Sequence, residues 1–240
     1  MKRQMSRIKQ ITLAVGCLLS LAPSAFSDRW AYPEPTSFHS RGFSYVAEVF
    51  PPESRQNKGK KPVCYFYQMG YPGKQWDIQP KLLWKTELVN ELMPLSAVVS
   101  MEQEVVTLNE YASAGYQNAV AIYSKQGQLV KSFRLDDLIS EEDKPQFVHS
   151  AGSRWWNSEA RYFFLTKPSR LYIVLKWDKV MEFSLSDGKF QAGKLADFPA
   201  VATLAKSPQD TTNEEAFIWS NSLRFSSITD VLNPQIKPDQ

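Results

Sequence analysis

Histidine and cysteine are scarce, two of each in a chain of 240 residues. His39 and His149 stand far apart, and no paired-cysteine, His-Glu-x-x-His or Asp-x-Asp-x-Asp pattern accompanies them. A zinc site draws three or four ligands, often closely spaced, and a calcium loop needs regularly placed oxygens. No spacing here supports either, and no cofactor is expected. Glycine is also sparse, at ten residues, and forms no phosphate loop or dinucleotide fingerprint. Gly152-Ser153 is followed by Arg154-Trp155, so the Gly-x-Ser-x-Gly elbow of a serine hydrolase is missing. His39, beside Phe38 and Phe43, reads as a partly buried structural residue.

Excess charge is lacking as well. The formal charge is +3, but Lys2, Arg3, Arg7 and Lys9 lie in the first 27 residues with no acid among them. Residues 28–240 therefore carry 24 bases against 25 acids, a formal −1. That argues against a nucleic-acid binder, which needs a basic footprint. With 43% hydrophobic and 22% charged residues the chain has the composition of a globular protein.

Only one long apolar run is present. It extends from Ile11 to Ala22, follows the four bases, and precedes Ala25-Phe26-Ser27, which puts small residues three and one before Asp28. These are the parts of a secretory signal over residues 1–27, with export to the periplasm or beyond and the membrane met only through the signal. The run is short for a spanning helix of about 20 residues. Ala14-Val15-Gly16-Cys17 is a poor lipoprotein box, since too few apolar residues precede the cysteine. With the signal removed, Cys64 has no cysteine to pair with. Its run Val63-Cys64-Tyr65-Phe66-Tyr67 suggests a buried thiol acting as a small hydrophobe.

From Phe43 to about Phe190, short β-branched and aromatic runs alternate with turn residues. Ser124–Gln128 and Ser186–Lys189 read as tight turns, and Lys58–Lys61 as a hairpin tip. Three units of three strands recur. They are Phe43–Phe50, Pro62–Tyr67 and Leu82–Leu88; Val105–Leu108, Ala119–Tyr123 and Leu129–Leu135; and Tyr162–Leu165, Leu171–Leu175 and Val180–Leu185. Their last strands anchor on Leu88, Leu135 and Leu185, a period near 50 that falls in the propeller range. The expected fold is mainly β, a propeller-like stack of about three antiparallel meanders over 28–198. Three is fewer than a closed ring needs, so the stack is open, capped, or completed by a second chain as a homo-dimer.

Residues 199–233 read as a helical segment and 234–240 as a tail. Pro199–Lys206 is Ala-rich, and Asp210–Asn213 before Glu214–Trp219 has the look of a helix start. A short helix is also expected over Leu135–Lys144, with Ser140 and Asp143 spaced as a capping box.

Two loops combine aromatics with hydrogen-bonding groups. Residues 109–118 contain Glu110, Tyr111, Tyr116 and Asn118, and residues 149–157 contain His149, Arg154, Trp155 and Trp156. Such residues make contact surfaces for a protein or a sugar. The competing reading is structural, with one indole of the Trp pair packed inward and the other at the surface. The strand-and-loop pattern Val105–Tyr111, Gly115–Tyr123, Gly127–Phe133 and Leu135–Ile139, with Ser153–Trp156, resembles that of uncharacterised exported bacterial proteins with propeller-like meander repeats. The resemblance covers about residues 98–165. It implies a propeller-like fold and an exported location, and brings no activity. The leading expectation is an exported binding protein that meets a protein of the cell envelope through the two loops. The alternatives are a glycan-binding module using Trp155, Trp156 and Tyr116, and a hydrolase built on two facing carboxylates.

Overall fold

The computed structural model describes residues 30–54, 59–70, 80–206 and 216–219. It is mainly β, with antiparallel sheets and two short α-helices. The first sheet is the meander β1 (Thr36–His39), β2 (Tyr45–Phe50), β3 (Val63–Met69) and β4 (Pro80–Glu87). The second is β5 (Pro94–Val99), β6 (Val105–Glu110), β7 (Val120–Tyr123) and β8 (Leu129–Phe133). A hairpin of β9 (Val148–His149) and β10 (Arg154–Trp155) follows. The third sheet has β11 (Arg161–Thr166), β12 (Ser169–Val174), β13 (Lys179–Ser184) and β14 (Phe190–Lys194) in meander order. A fifth strand, β15 (Ala216–Trp219), lies antiparallel along the free edge of β11.

The second sheet is the middle layer, and its sequence shows why. Successive residues on a strand point to opposite faces. Ala97, Val99, Val105, Ala121 and Tyr123 join one buried cluster with Phe66, Trp84 and Cys64 of the first sheet. Val98, Val106, Leu108, Val120 and Ile122 join another with Tyr162, Ile173 and Phe183 of the third. Both faces are apolar, so the sheet is stable only between two others. The far face of the third sheet, with Phe163, Tyr172 and Val180, is covered by Val201 and Leu204 of the helix over Pro199–Lys206.

Two turns lock the layers together. Gly127, in the β7–β8 turn, has φ 75° and stands so close to Trp84 that a β-carbon there would lie 2.7 Å from its ring. Gly188, in the β13–β14 turn, has φ 68°, and a β-carbon would lie 2.6 Å from Cβ of Lys131 on β8. Both turns fall where the sequence places them, within Ser124–Gln128 and Ser186–Lys189. The Lys58–Lys61 tip lies partly outside the described residues.

The structure corrects several expectations. β1, β5 and β14 were not foreseen. The three-strand units correspond to β2–β4 and β6–β8, but to β11–β13 in the third sheet. Leu185 therefore follows the third strand of its meander, whereas Leu88 and Leu135 follow the fourth. Ala216–Trp219 is a strand, because pairing with Phe163 and its neighbours on β11 outweighs the local helix-start signal. The helix expected over Leu135–Lys144 is one turn, α1 (Leu135–Leu138), capped by the Asp137 carboxylate on the Arg134 N–H at 3.1 Å. Ser140 instead donates its hydroxyl to the Asp143 side chain in the next turn. The second helix, α2 (Pro199–Lys206), agrees with the sequence. No helix among the described residues is long and apolar enough to cross a membrane.

Candidate functional site

The fold brings the two loops into contact. Loop 109–118 joins β6 to β7 and turns sharply through Asn109 at φ 61°, Ala112 at φ 66° and Gly115 at φ 75°. The hairpin backbone passes directly over Gly115, where a β-carbon would lie 2.1 Å from the carbonyl oxygen of Arg154. The Arg154 N–H donates to the Ala114 carbonyl at 2.8 Å. Asn109 is the hub of the contact. Its Oδ1 accepts from the Gly115 N–H at 3.1 Å and from Trp156 Nε1 at 2.6 Å, while its Nδ2 donates to Asn157 Oδ1 at 3.0 Å.

The outward face of this junction carries a guanidinium and several rings. Arg154 lies 4.3 Å from the centre of the Tyr116 ring, and its Nη1 meets Asp136 Oδ1 at 2.9 Å. Lys144 approaches the same Asp136 oxygen at 3.6 Å. The Arg154 hydrogen bond, aided by both positive charges, holds the Asp136 carboxyl below its ordinary value. Trp155 stacks on Trp30, with ring centres 5.9 Å apart and planes 23° apart, and donates its N–H to Ser150 Oγ at 3.3 Å. Trp30 in turn meets Tyr111 edge-on at 4.9 Å. Tyr116 and His149 are exposed, and the exposed Val148 lies beside His149 on β9.

Three of the residues singled out from sequence face inward instead. Trp156 is wholly buried in the core between the second and third sheets, so its rings are covered. Glu110 is buried too, and its carboxylate organises the connection from β4 to β5. Oε1 accepts from the backbone N–H groups of Glu91 at 3.0 Å and Leu92 at 3.2 Å. Oε2 accepts from Asn90 Nδ2 at 3.2 Å and Asn118 Nδ2 at 3.3 Å. Burial pushes this carboxyl above its ordinary value, and the four donors only partly oppose that. Asn118 is held at both ends, since its Oδ1 accepts from Ser132 Oγ at 2.9 Å. The surface part of the site is therefore Tyr111, Tyr116, His149, Arg154 and Trp155.

Sequence reasoning missed Trp30 and Asp136. Each lies outside both loops, and only the fold carries Trp30 to Trp155 and Asp136 to Arg154. The position of Asp136 in α1, directly after the fourth strand of the second sheet, was the one available hint.

Cys64 is buried and far from ionisable, because burial, with the nearby Glu48 charge, pushes its thiol well up. Among the described residues no group of three or more His, Cys, Asp or Glu side chains is arranged to hold a metal ion. No protein-family model matches the chain, and no curated protein matches it.

Proposed function

We propose that the chain is an exported, propeller-like binding protein of the cell envelope that docks a protein partner on the Tyr116–Arg154–Trp155 face. The supporting observation is the way Arg154 is held. Its backbone is tied to Ala114, its guanidinium lies over Tyr116, and Asp136 fixes its end. Arginine and aromatic side chains fixed in advance lose little entropy on binding, and such residues dominate protein interfaces. The propeller-like part of the reading rests on consecutive four-stranded meanders stacked face to face, with β1 lying against β5. Export rests on the leader-like residues 1–27.

The loops favour a protein over a sugar. Trp156 is buried and one side of Trp155 is taken by Trp30, which leaves no open pair of indoles as a stacking platform. The carboxylates here are already committed, Asp136 to Arg154 and Glu110 to four donors.

A photo-reactive phenylalanine analogue at position 116, compared with one at Lys189 on the β13–β14 turn, tests the proposal in intact cells. A discrete adduct with another envelope protein is expected from position 116, absent from 189 and weakened by Arg154→Ala. Equal labelling from both positions, or none from 116, would reject it. An adduct with a second copy of the chain would identify the face as a homo-dimer contact instead.

A further inference from the structure

A second concavity, lined by none of the loop residues, lies where β14 runs into α2. Its volume is about 750 Å³, within the range of small-molecule sites. One wall is the β12–β13 turn with Trp177 and Asp178, joined by Ser140, Glu142 and Asp143. A second wall is the turn Leu195–Asp197 with Ala202 of α2, and Ala192, Gly193 and Lys194 of β14 also line the cleft. The walls are tied together, since the Leu195 N–H donates to the Asp178 carbonyl at 2.9 Å.

The indole of Trp177 is fixed. Its Nε1 donates to Asp143 Oδ1 at 3.0 Å, and Phe147 packs against it with ring centres 6.0 Å apart. Lys179 binds the other oxygen of Asp143. An aromatic ring held by a carboxylate and a second ring, at the wall of an open cleft, is an organised surface at little entropic cost.

We propose that this cleft binds a neutral saccharide, with a sugar ring laid against Trp177. The apolar part of the lining is an indole, Leu195 and small side chains, which suits the C–H face of a sugar ring. The polar part has both signs, with Glu142, Asp178 and Lys194 beside the Asp143–Lys179 pair. Hydroxyl groups donate and accept, so they are served by carboxylates and ammonium groups together. Four carboxylates against two lysines disfavour an acidic glycan. The same excess of acids would suit a cation, and the choline titration below separates the two.

None of the residues lining the cleft belongs to the proposed protein-docking face. The isotope-labelled protein would be titrated with maltose, cellobiose and N,N′-diacetylchitobiose, and separately with choline. The Trp177 indole N–H resonance is identified by its loss in Trp177→Phe. At least one disaccharide is expected to move that resonance and the Gly193 amide saturably at millimolar concentration, leaving the Trp155 indole unmoved. Ala196→Trp, which fills the cleft from an exposed position, is expected to weaken this binding about tenfold or more, roughly the loss of one strong contact. The rest of its spectrum should stay as in the wild type, which separates blocked binding from misfolding. No movement with any disaccharide, movement that survives Ala196→Trp, or movement with choline alone would overturn the proposal.

Discussion

The indole N–H of Trp156 donates to Oδ1 of Asn109 at 2.6 Å, and this bond welds the second sheet to the hairpin that precedes the third. Both groups are buried, and the same oxygen also takes the Gly115 N–H. Removing the amide leaves two buried donors without their acceptor, each costing about 1–3 kcal/mol. Asn109→Ala should therefore lower the unfolding free energy by roughly 3 kcal/mol or more. Part of that loss is conformational, since φ at Asn109 is 61° and a β-carbon resists this region. Asn109→Gly isolates the hydrogen bonds, because glycine accepts the angle. Urea denaturation of both variants checks the assignment, and a glycine variant as stable as wild type would show that Asn109 is not a hub.

Gly115 and Gly42 make a controlled comparison. Both have positive φ, at 75° and 63°, so alanine carries a similar backbone penalty of about 1 kcal/mol at each. Their surroundings differ. A β-carbon at Gly42 meets nothing within 4 Å, whereas at Gly115 it would sit on the Arg154 carbonyl. Gly115→Ala should cost at least twice as much stability as Gly42→Ala. It should also displace the hairpin and abolish the adduct from position 116. Equal thermal midpoints for the two variants would contradict the packing of the loops.

Much of this architecture is legible in the sequence because it depends on local rules. Turns at Gly127 and Gly188 need positive φ, and the nearly unbroken apolar run Val105–Leu108 follows from a sheet covered on both sides. β1 and β5 escape the sequence reading because β1 lies beside Pro35, β5 begins at Pro94, and neither shows a run of alternation. Ala216–Trp219 was misread because four apolar residues after two glutamates carry no period, and its state is set by the distant edge of β11. The candidate site divides in the same way. Tyr116 and Arg154 were found from composition. That Trp156 points inward and Trp155 outward depends on where β10 ends, and the partnership of Trp155 with Trp30 depends wholly on tertiary structure.

Glu110 provides a test of polar organisation without any change in shape. In Glu110→Gln one oxygen becomes an NH₂ group, which then faces either two backbone N–H groups or the amides of Asn90 and Asn118. Asn118 cannot flip to accept without losing Ser132. The variant should be destabilised by roughly 1–3 kcal/mol, the cost of a buried donor left unmatched. The loss should shrink as pH rises from the ordinary carboxyl value to the raised folded one, and stay level above it. Burial raises that pKa, so deprotonating Glu110 on the way up costs the native wild type stability that the glutamine variant does not lose. A stability difference that grows with rising pH would contradict this sign.

Acid should act in part through the aspartates beside Trp177 and Arg154. Burial alone would raise the Asp143 carboxyl, but hydrogen bonds from Lys179, Ser140 and Trp177, with the Lys179 charge, hold it below its ordinary value of 3.8. Asp136 is held down by Arg154 and Lys144. A depressed carboxyl contributes stability that is fully present above the ordinary value. That contribution is lost as pH falls through the lower, folded value. The thermal midpoint should therefore fall below about pH 4. Asp143→Asn and Asp136→Asn should each be less stable than wild type at neutral pH and show a shallower decline in acid. Parallel wild-type and variant curves would remove these pairs from the acid response.

The proposed export makes a prediction about where the mature chain starts. Ala25 and Ser27 are small enough for the two pockets that a signal peptidase reads before the cut, and Asp28 follows them. Protein recovered from the envelope should begin at Asp28, as read by N-terminal sequencing and intact mass. Ala25→Arg puts a long charged side chain three residues before the cut, so that protein should keep its leader and fractionate with the membrane. Cys17→Ser should leave the mature mass unchanged, because Cys17 is discarded with residues 1–27. An acylated chain starting at Cys17 would replace the soluble protein by a lipoprotein, and a chain starting at Met1 in the cytoplasm would remove the envelope from the proposed function. In either case the Tyr116–Arg154 face would remain as described, and only the compartment in which its partner is sought would change.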